Sequence, residues 1–158
     1  MRPKKYPLDP LVRVRKERVD ASVAALAKSI RAREVAEDSR AVAEAERLRA
    51  AEEAKRTRGN EAEALARGEL SAADLQRQAS WQARTQWDDA ERARRVVIAR
   101  EQEARALEAE RGARAGASDA EAAAKVVTKH REGWVSDSAR ALEASSEEGA
   151  AEAWRRRG

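Results

Sequence analysis

Pro10 is the last proline in a chain of 158 residues. Beyond it the sequence is alanine and charge with little punctuation, and only scattered glycines interrupt what one helix could continue through. Ala, Glu and Arg are strong helix formers. Charged residues make up 39% of the chain and aromatic residues 3%, with no Phe and no Cys. Much of the 42% apolar fraction is alanine. At about 25 cal/mol per Å² of buried apolar surface, alanine stabilises a core weakly, so a conventional globular domain is disfavoured. Low hydrophobicity with high charge permits disorder, but a balanced net charge of +4 and the alanine content favour helix. Asp9 reads as an N-cap with Pro10 at the first helical position, where its missing N–H costs nothing.

The spacing predicts an all-α fold, a long two-helix antiparallel coiled-coil hairpin in one rod. Helix one covers about 10–58, with a seam of Val12, Val19, Val23, Leu26 and Ile30. The seam then slips to Val35 and Val42, as where coiled coils change winding. Gly59-Asn60 and Gly68 are breakers, and the reversal is expected at about 59–71, with a short turn holding Leu65. Ser71-Ala72-Ala73-Asp74 reads as a variant capping box. Helix two covers about 72–148. Its first seam is Ala79, Ala83, Gln86, Ala90, Ala93, Val97, Arg100, Ala104 and Leu107. Near Gly112 and Gly116 the phase changes, and Ser118-Asp119-Ala120-Glu121 is a second capping pattern. A possible break therefore falls at 112–118, but each glycine costs only about 1 kcal/mol inside a helix, and one long helix with a local weakness there is favoured. A second seam follows: Ala123, Val127, His130, Trp134, Asp137, Ala141 and Ala144. The hairpin would bring both termini to one end and leave the reversal as a tip.

Signs of catalysis are absent. The lone His130 sits on a seam and reads as a packing residue. No Gly-rich phosphate loop or metal-ligand spacing occurs, and the carboxylates read as solvated partners of arginine at i,i+4. No cofactor is implied. The basic start lacks a signal-peptide apolar run, no stretch reaches the roughly 20 apolar residues of a membrane span, and a cytoplasmic protein without membrane insertion is expected.

Two contact surfaces stand out. Lys4, Lys5, Arg13, Arg15, Lys16 and Arg18, with Arg155, Arg156 and Arg157, are expected to cluster at one basic pole. Phosphates could meet it, but there is no base-stacking surface and no zipper after a basic region, so an acidic protein is the better partner and nucleic acid is not expected. Trp81 and Trp87 lie off the first seam just past the reversal. They either cap the tip or anchor a partner, as exposed Trp and Arg do at interfaces. Trp134 reads as a plug between alanine layers, and Trp154 lies in the C-terminal tail.

The opening run Tyr6, Leu8, Pro10, Leu11, Val12, Arg13 and Arg15 resembles the start of the FliJ family of flagellar type III export proteins and their injectisome counterparts, the SctO or YscO proteins. So does the later run Lys129-His130-Arg131-Glu132-Gly133-Trp134 with Glu143, Glu147, Glu148 and Glu152 beyond it. The resemblance extends over nearly the whole chain. It implies a non-enzymatic protein similar to the central stalk of rotary ATPases, which inserts the end bearing both termini into a hexameric export ATPase. Such a protein promotes ring assembly and ATP hydrolysis, contacts the cytoplasmic domain of the export gate, and in some members handles export chaperones. It would be cytoplasmic and peripheral to the membrane export apparatus. A generic coiled-coil adaptor or scaffold is the alternative.

Overall fold

The structure, a computed structural model, describes residues 5–156; the expectations for Lys4 and Arg157 lie outside the described residues. Two helices, α1 (Asp9–Ala66) and α2 (Ala72–Arg155), form an antiparallel hairpin with no strand among the described residues. The chain divides into two compact units, one of Met1–Ala27 with Gly112–Gly158 and one of Lys28–Arg111.

The second unit contains the reversal. α1 does not stop at residue 58. It runs through Gly59 and Asn60 to Ala66, because a single interior glycine is a cost of about 1 kcal/mol and not a stop. Leu65 is therefore part of α1. The stop is Gly68, whose φ of 72° is the left-handed conformation that ends helices. Its N–H donates to Leu65 O (3.0 Å), and the Glu69 N–H donates to Ala64 O (3.0 Å). Together these bonds make a Schellman motif. Three residues later α2 starts with a reciprocal cap. The Asp74 N–H donates to Ser71 Oγ (3.2 Å), and the Ser71 N–H donates back to Asp74 Oδ2 (2.9 Å). The turn is thus the five residues 67–71, shorter than the 59–71 span expected.

The helices of this unit meet along a seam that is largely polar. On α1 the half-buried positions run Arg33, Ala36, Arg40 and Ala43 in steps of three and four, with Ala54 buried further on. The slip toward Val35 and Val42 does not occur; these residues are 69% and 57% exposed. Long arginine stems occupy the seam in place of valines, and their heads reach acids on α2. On α2 the seam lies one residue before the one expected: Val96 and Ala99 are buried, whereas Val97 and Leu107 are exposed. Shifting one residue rotates the face by about 100°. Alanine is so frequent that its 3–4 pattern fits more than one face, and the large and charged residues decide between them.

In the first unit α2 passes through Gly112 and Gly116 without a break, as the favoured continuous helix has it, and Ser118–Glu121 lies inside the helix instead of capping a new one. Ala113, Ala117, Ala120, Ala124 and Val127 carry the inward row across the glycines, and Ala117 is buried. At the other end α2 extends past the expected 148 to Arg155. The first turn of α1 begins one residue early, with Val12 N–H donating to Leu8 O (3.1 Å). Leu8 is therefore the cap residue and Pro10 the second helical position, still among the four whose N–H needs no helical partner.

Candidate functional site

The start of α1 packs on the segment 130–134 of α2. Tyr6, 4% exposed, has its ring 5.5 Å from that of Trp134 and 5.8 Å from that of His130. The Tyr6 hydroxyl and His130 Nδ1 share a hydrogen bond of 2.6 Å. Arg131 Nε lies 3.3 Å from Asp9 Oδ1 in an ion pair, and Asp9 also lies in the first turn, where the helix dipole favours an anion. An aromatic clasp flanked by one ion pair thus ties the leader to α2.

Just inside the clasp, the candidate cations separate by face. Arg15 lies on the inward row between Val12 and Val19 and is half-buried; its Nε is buried without a hydrogen-bond partner among the described residues. Arg13, Lys16 and Arg18 are exposed, with no ion pair among the described residues. Arg155 and Arg156 do not join them. Since Asp9 sits against Arg131, α2 continues beyond the start of α1, and every residue from 139 to 156 is exposed. Arg155 lies 21 residues past Trp134, about 32 Å along the helix. The expected single basic pole is corrected to two separate basic sites. Arg156 is within 4.0 Å of Glu152, one turn back.

At the tip the two tryptophans differ. Trp87 is 66% exposed, off the seam as expected. Trp81 is half-buried and on the seam, because the seam is rotated by one residue from the expected one. It borders an open groove of about 800 Å³ with Ala54, Arg58, Thr85 and Val96. Gln78, one turn before it, donates to Glu61 Oε2 at 2.9 Å, tying α2 to α1 beside the tip.

A ladder of ion pairs joins the helices in the same unit and was not anticipated from the sequence. Arg33 Nε donates to Glu110 (2.7 Å), Arg40 pairs with Glu103 (2.5 Å), Arg100 with Glu44 (2.7 Å) and Arg47 with Asp89 (3.1 Å). Seven residues forward on α1 match seven back on α2 from Glu110 to Glu103. The next rung in that phase is Val96, which is buried, so Arg47 turns along the helix to Asp89 instead. The hydrogen bond that Arg33 donates to Glu110 raises the Arg33 pKa above its ordinary value, and the one that Arg40 donates to Glu103 does the same for Arg40. The Arg100 hydrogen bond holds the Glu44 carboxyl below the usual range, and the Arg47 hydrogen bond does so for Asp89. Arginine at every second inward position, with acids at matching spacing on α2, was the available signal. A reading that follows apolar residues passes over it.

No group of three or more His, Cys, Asp or Glu side chains able to hold a metal ion occurs among the described residues. No helix there is long and apolar enough to cross a membrane. Compared with models of known families, with curated proteins and with solved structures, the chain matches none.

Proposed function

We propose that the chain is a non-enzymatic stalk in a flagellar or injectisome protein export complex: an antiparallel coiled coil that promotes assembly and ATP hydrolysis of a hexameric export ATPase and links it to the cytoplasmic domain of the export gate. One observation carries this reading. The two segments that resemble the export family, the Tyr6–Arg15 leader and Lys129–Trp134, are the two that meet, through Tyr6 on His130 and Trp134. An antiparallel hairpin sets these two regions level, and the clasp joins the aromatic residues of both segments in one contact. Arg13, Lys16 and Arg18 offer unneutralised cations beside the clasp for an acidic ring surface. Trp87 offers an exposed aromatic near the reversal for the gate. The protein acts in the cytoplasm, peripheral to the membrane apparatus, and export chaperones are further candidate partners.

Steady-state ATP hydrolysis by the export ATPase of the same source, with and without the chain, tests this. Stimulation is expected from the wild type. It should be lost in a folded Arg13→Glu, Lys16→Glu, Arg18→Glu variant. No stimulation by the wild type would reject the stalk reading. It would leave the adaptor alternative, which the exposed segment 139–156 favours because it offers a long helical face to any partner.

A further inference from the structure

The first unit carries two complementary surfaces that cannot meet within it. The segment 139–156 of α2 is helical to Arg155 and exposed at every residue, and nothing among the described residues packs on it. An isolated helix of that length is marginal in water, and glycine at 149 weakens it further. Ala144 and Ala151, seven apart, form a small-residue stripe on one side. Glu143 and Glu147 flank that stripe on one edge, and Glu148 and Glu152 flank it on the other, each pair at i,i+4. Trp154, 82% exposed, lies on the Glu143 edge of the stripe, and Leu142, 45% exposed, lies on the opposite side of the helix.

The outward face of α1 carries cations on both of its edges. Val14, 48% exposed, with Ala21 and Ala24 lies opposite the inward row. Arg13 and Lys16 flank this face on one edge and Arg18 on the other. Glu17 lies near the middle of this face and Asp20 on the Arg13 edge, so the three cations outnumber the two acids by one. Arg13 is level with about residue 127 of α2, so it sits about 30 Å from Glu147 along the helix. That is far beyond the reach of an ion pair within one chain.

We propose that this face is filled by a second copy: the acidic segment 143–152 of each chain lies parallel on the Arg13–Ala24 face of the other, giving a twofold-symmetric dimer. The symmetry makes the contact reciprocal, so each dimer contains it twice. Alanine on one side and Val14 and alanine on the other allow close helix approach, and the flanking charges set orientation, as e and g positions do in coiled coils. The inference does not depend on the export reading. Because it uses Arg13, Lys16 and Arg18, a dimer would compete with any acidic partner for them.

Sedimentation equilibrium of the full chain tests it without another protein. The wild type should be a dimer at low salt that dissociates as salt rises. Two variants separate the surfaces: Glu143→Lys, Glu147→Lys, Glu148→Lys, Glu152→Lys, and Arg13→Glu, Lys16→Glu, Arg18→Glu. Each alone should self-associate about tenfold or more weakly, since like charges then face each other. An equimolar mixture of the two should form a heterodimer, because both reciprocal contacts become complementary again. A wild-type monomer at every salt concentration, unweakened dimers from either variant, or a mixture that stays monomeric would each overturn the proposal. Circular dichroism on both variants establishes that they remain helical.

Discussion

Arg33 and Glu110 lie 77 residues apart in sequence, and the guanidinium Nε donates to the carboxylate at 2.7 Å. Seven residues along α1, Arg40 repeats the arrangement with Glu103. The inward row here is therefore held by charge geometry where hydrophobic coiled coils use leucine. Arg40→Glu and Glu103→Arg should each lower the thermal midpoint, since each places like charges across the seam. The double exchange should recover most of the loss. Two singles whose effects simply add in the double variant would show that the pair does not couple.

Acid should loosen this unit. Glu44 and Asp89 are held below the usual carboxylate range by Arg100 and Arg47, and Asp74 is depressed by the Ser71 hydroxyl and Arg77. In the unfolded chain these groups take up protons at about pH 4. A depressed folded pKa contributes stability that is present above the unfolded value and lost as pH falls toward the folded one. The thermal midpoint should therefore be flat from neutrality to about pH 5 and fall below that. Glu44→Gln with Asp89→Asn should flatten the fall, as measured by circular dichroism melts across pH.

The glycines should split into two kinds. Gly68 holds φ at 72°, so Gly68→Ala should destabilise by about 1 kcal/mol or more although nothing lies within 4 Å of an added Cβ. Gly112 and Gly116 are ordinary helix with open space around them, so alanine at either should stabilise by up to about 1 kcal/mol. Ser71→Ala, which removes the cap of α2, should cost about 1 kcal/mol. Urea midpoints of the four variants test the pattern; a stabilised Gly68→Ala would contradict the assigned turn.

At the clasp, Tyr6→Phe keeps the ring and loses the hydroxyl bond to His130, and should cost about 1 kcal/mol. Tyr6→Ala also removes a buried ring and should cost about 3 kcal/mol or more. Equal effects would mean that the ring contacts with Trp134 contribute nothing.

At the tip, Trp81→Ala should lower stability and Trp87→Ala should not, because only Trp81 lies on the seam. Loss of gate-domain binding by a folded Trp87→Ala variant would mark Trp87 as a contact. Unchanged binding would remove it from the candidate surface.

Much of the hairpin was legible in the sequence. Absence of proline after Pro10, the Gly68 break and the Ser71–Asp74 cap are local signals, and local chemistry produced them in the structure. The phase of each seam was not legible. Alanine repeats fit several faces, and a reading that follows Val35, Val42, Val97 and Leu107 turns each helix the wrong way. Those side chains are exposed, while Arg33, Arg40, Glu103 and Glu110 point inward because each finds an opposite charge across the seam. Which residues of α2 lie beside the start of α1 depends on a pairing across more than 120 residues. The separation of Arg155 from Arg13 was hidden for the same reason.

The short turn at 67–71 does more than reverse the chain. A ladder with a seven-residue period is nearly blind to its own register: after a slide of one heptad Arg40 would face Glu110 and Arg47 would face Glu103. Ion pairs alone would leave two alignments close in energy. A five-residue connection with a Schellman motif on one side and a reciprocal cap on the other has no slack to supply the extra seven residues. Sliding would require dismantling both ends of the turn, so the turn acts as the origin from which every rung is counted.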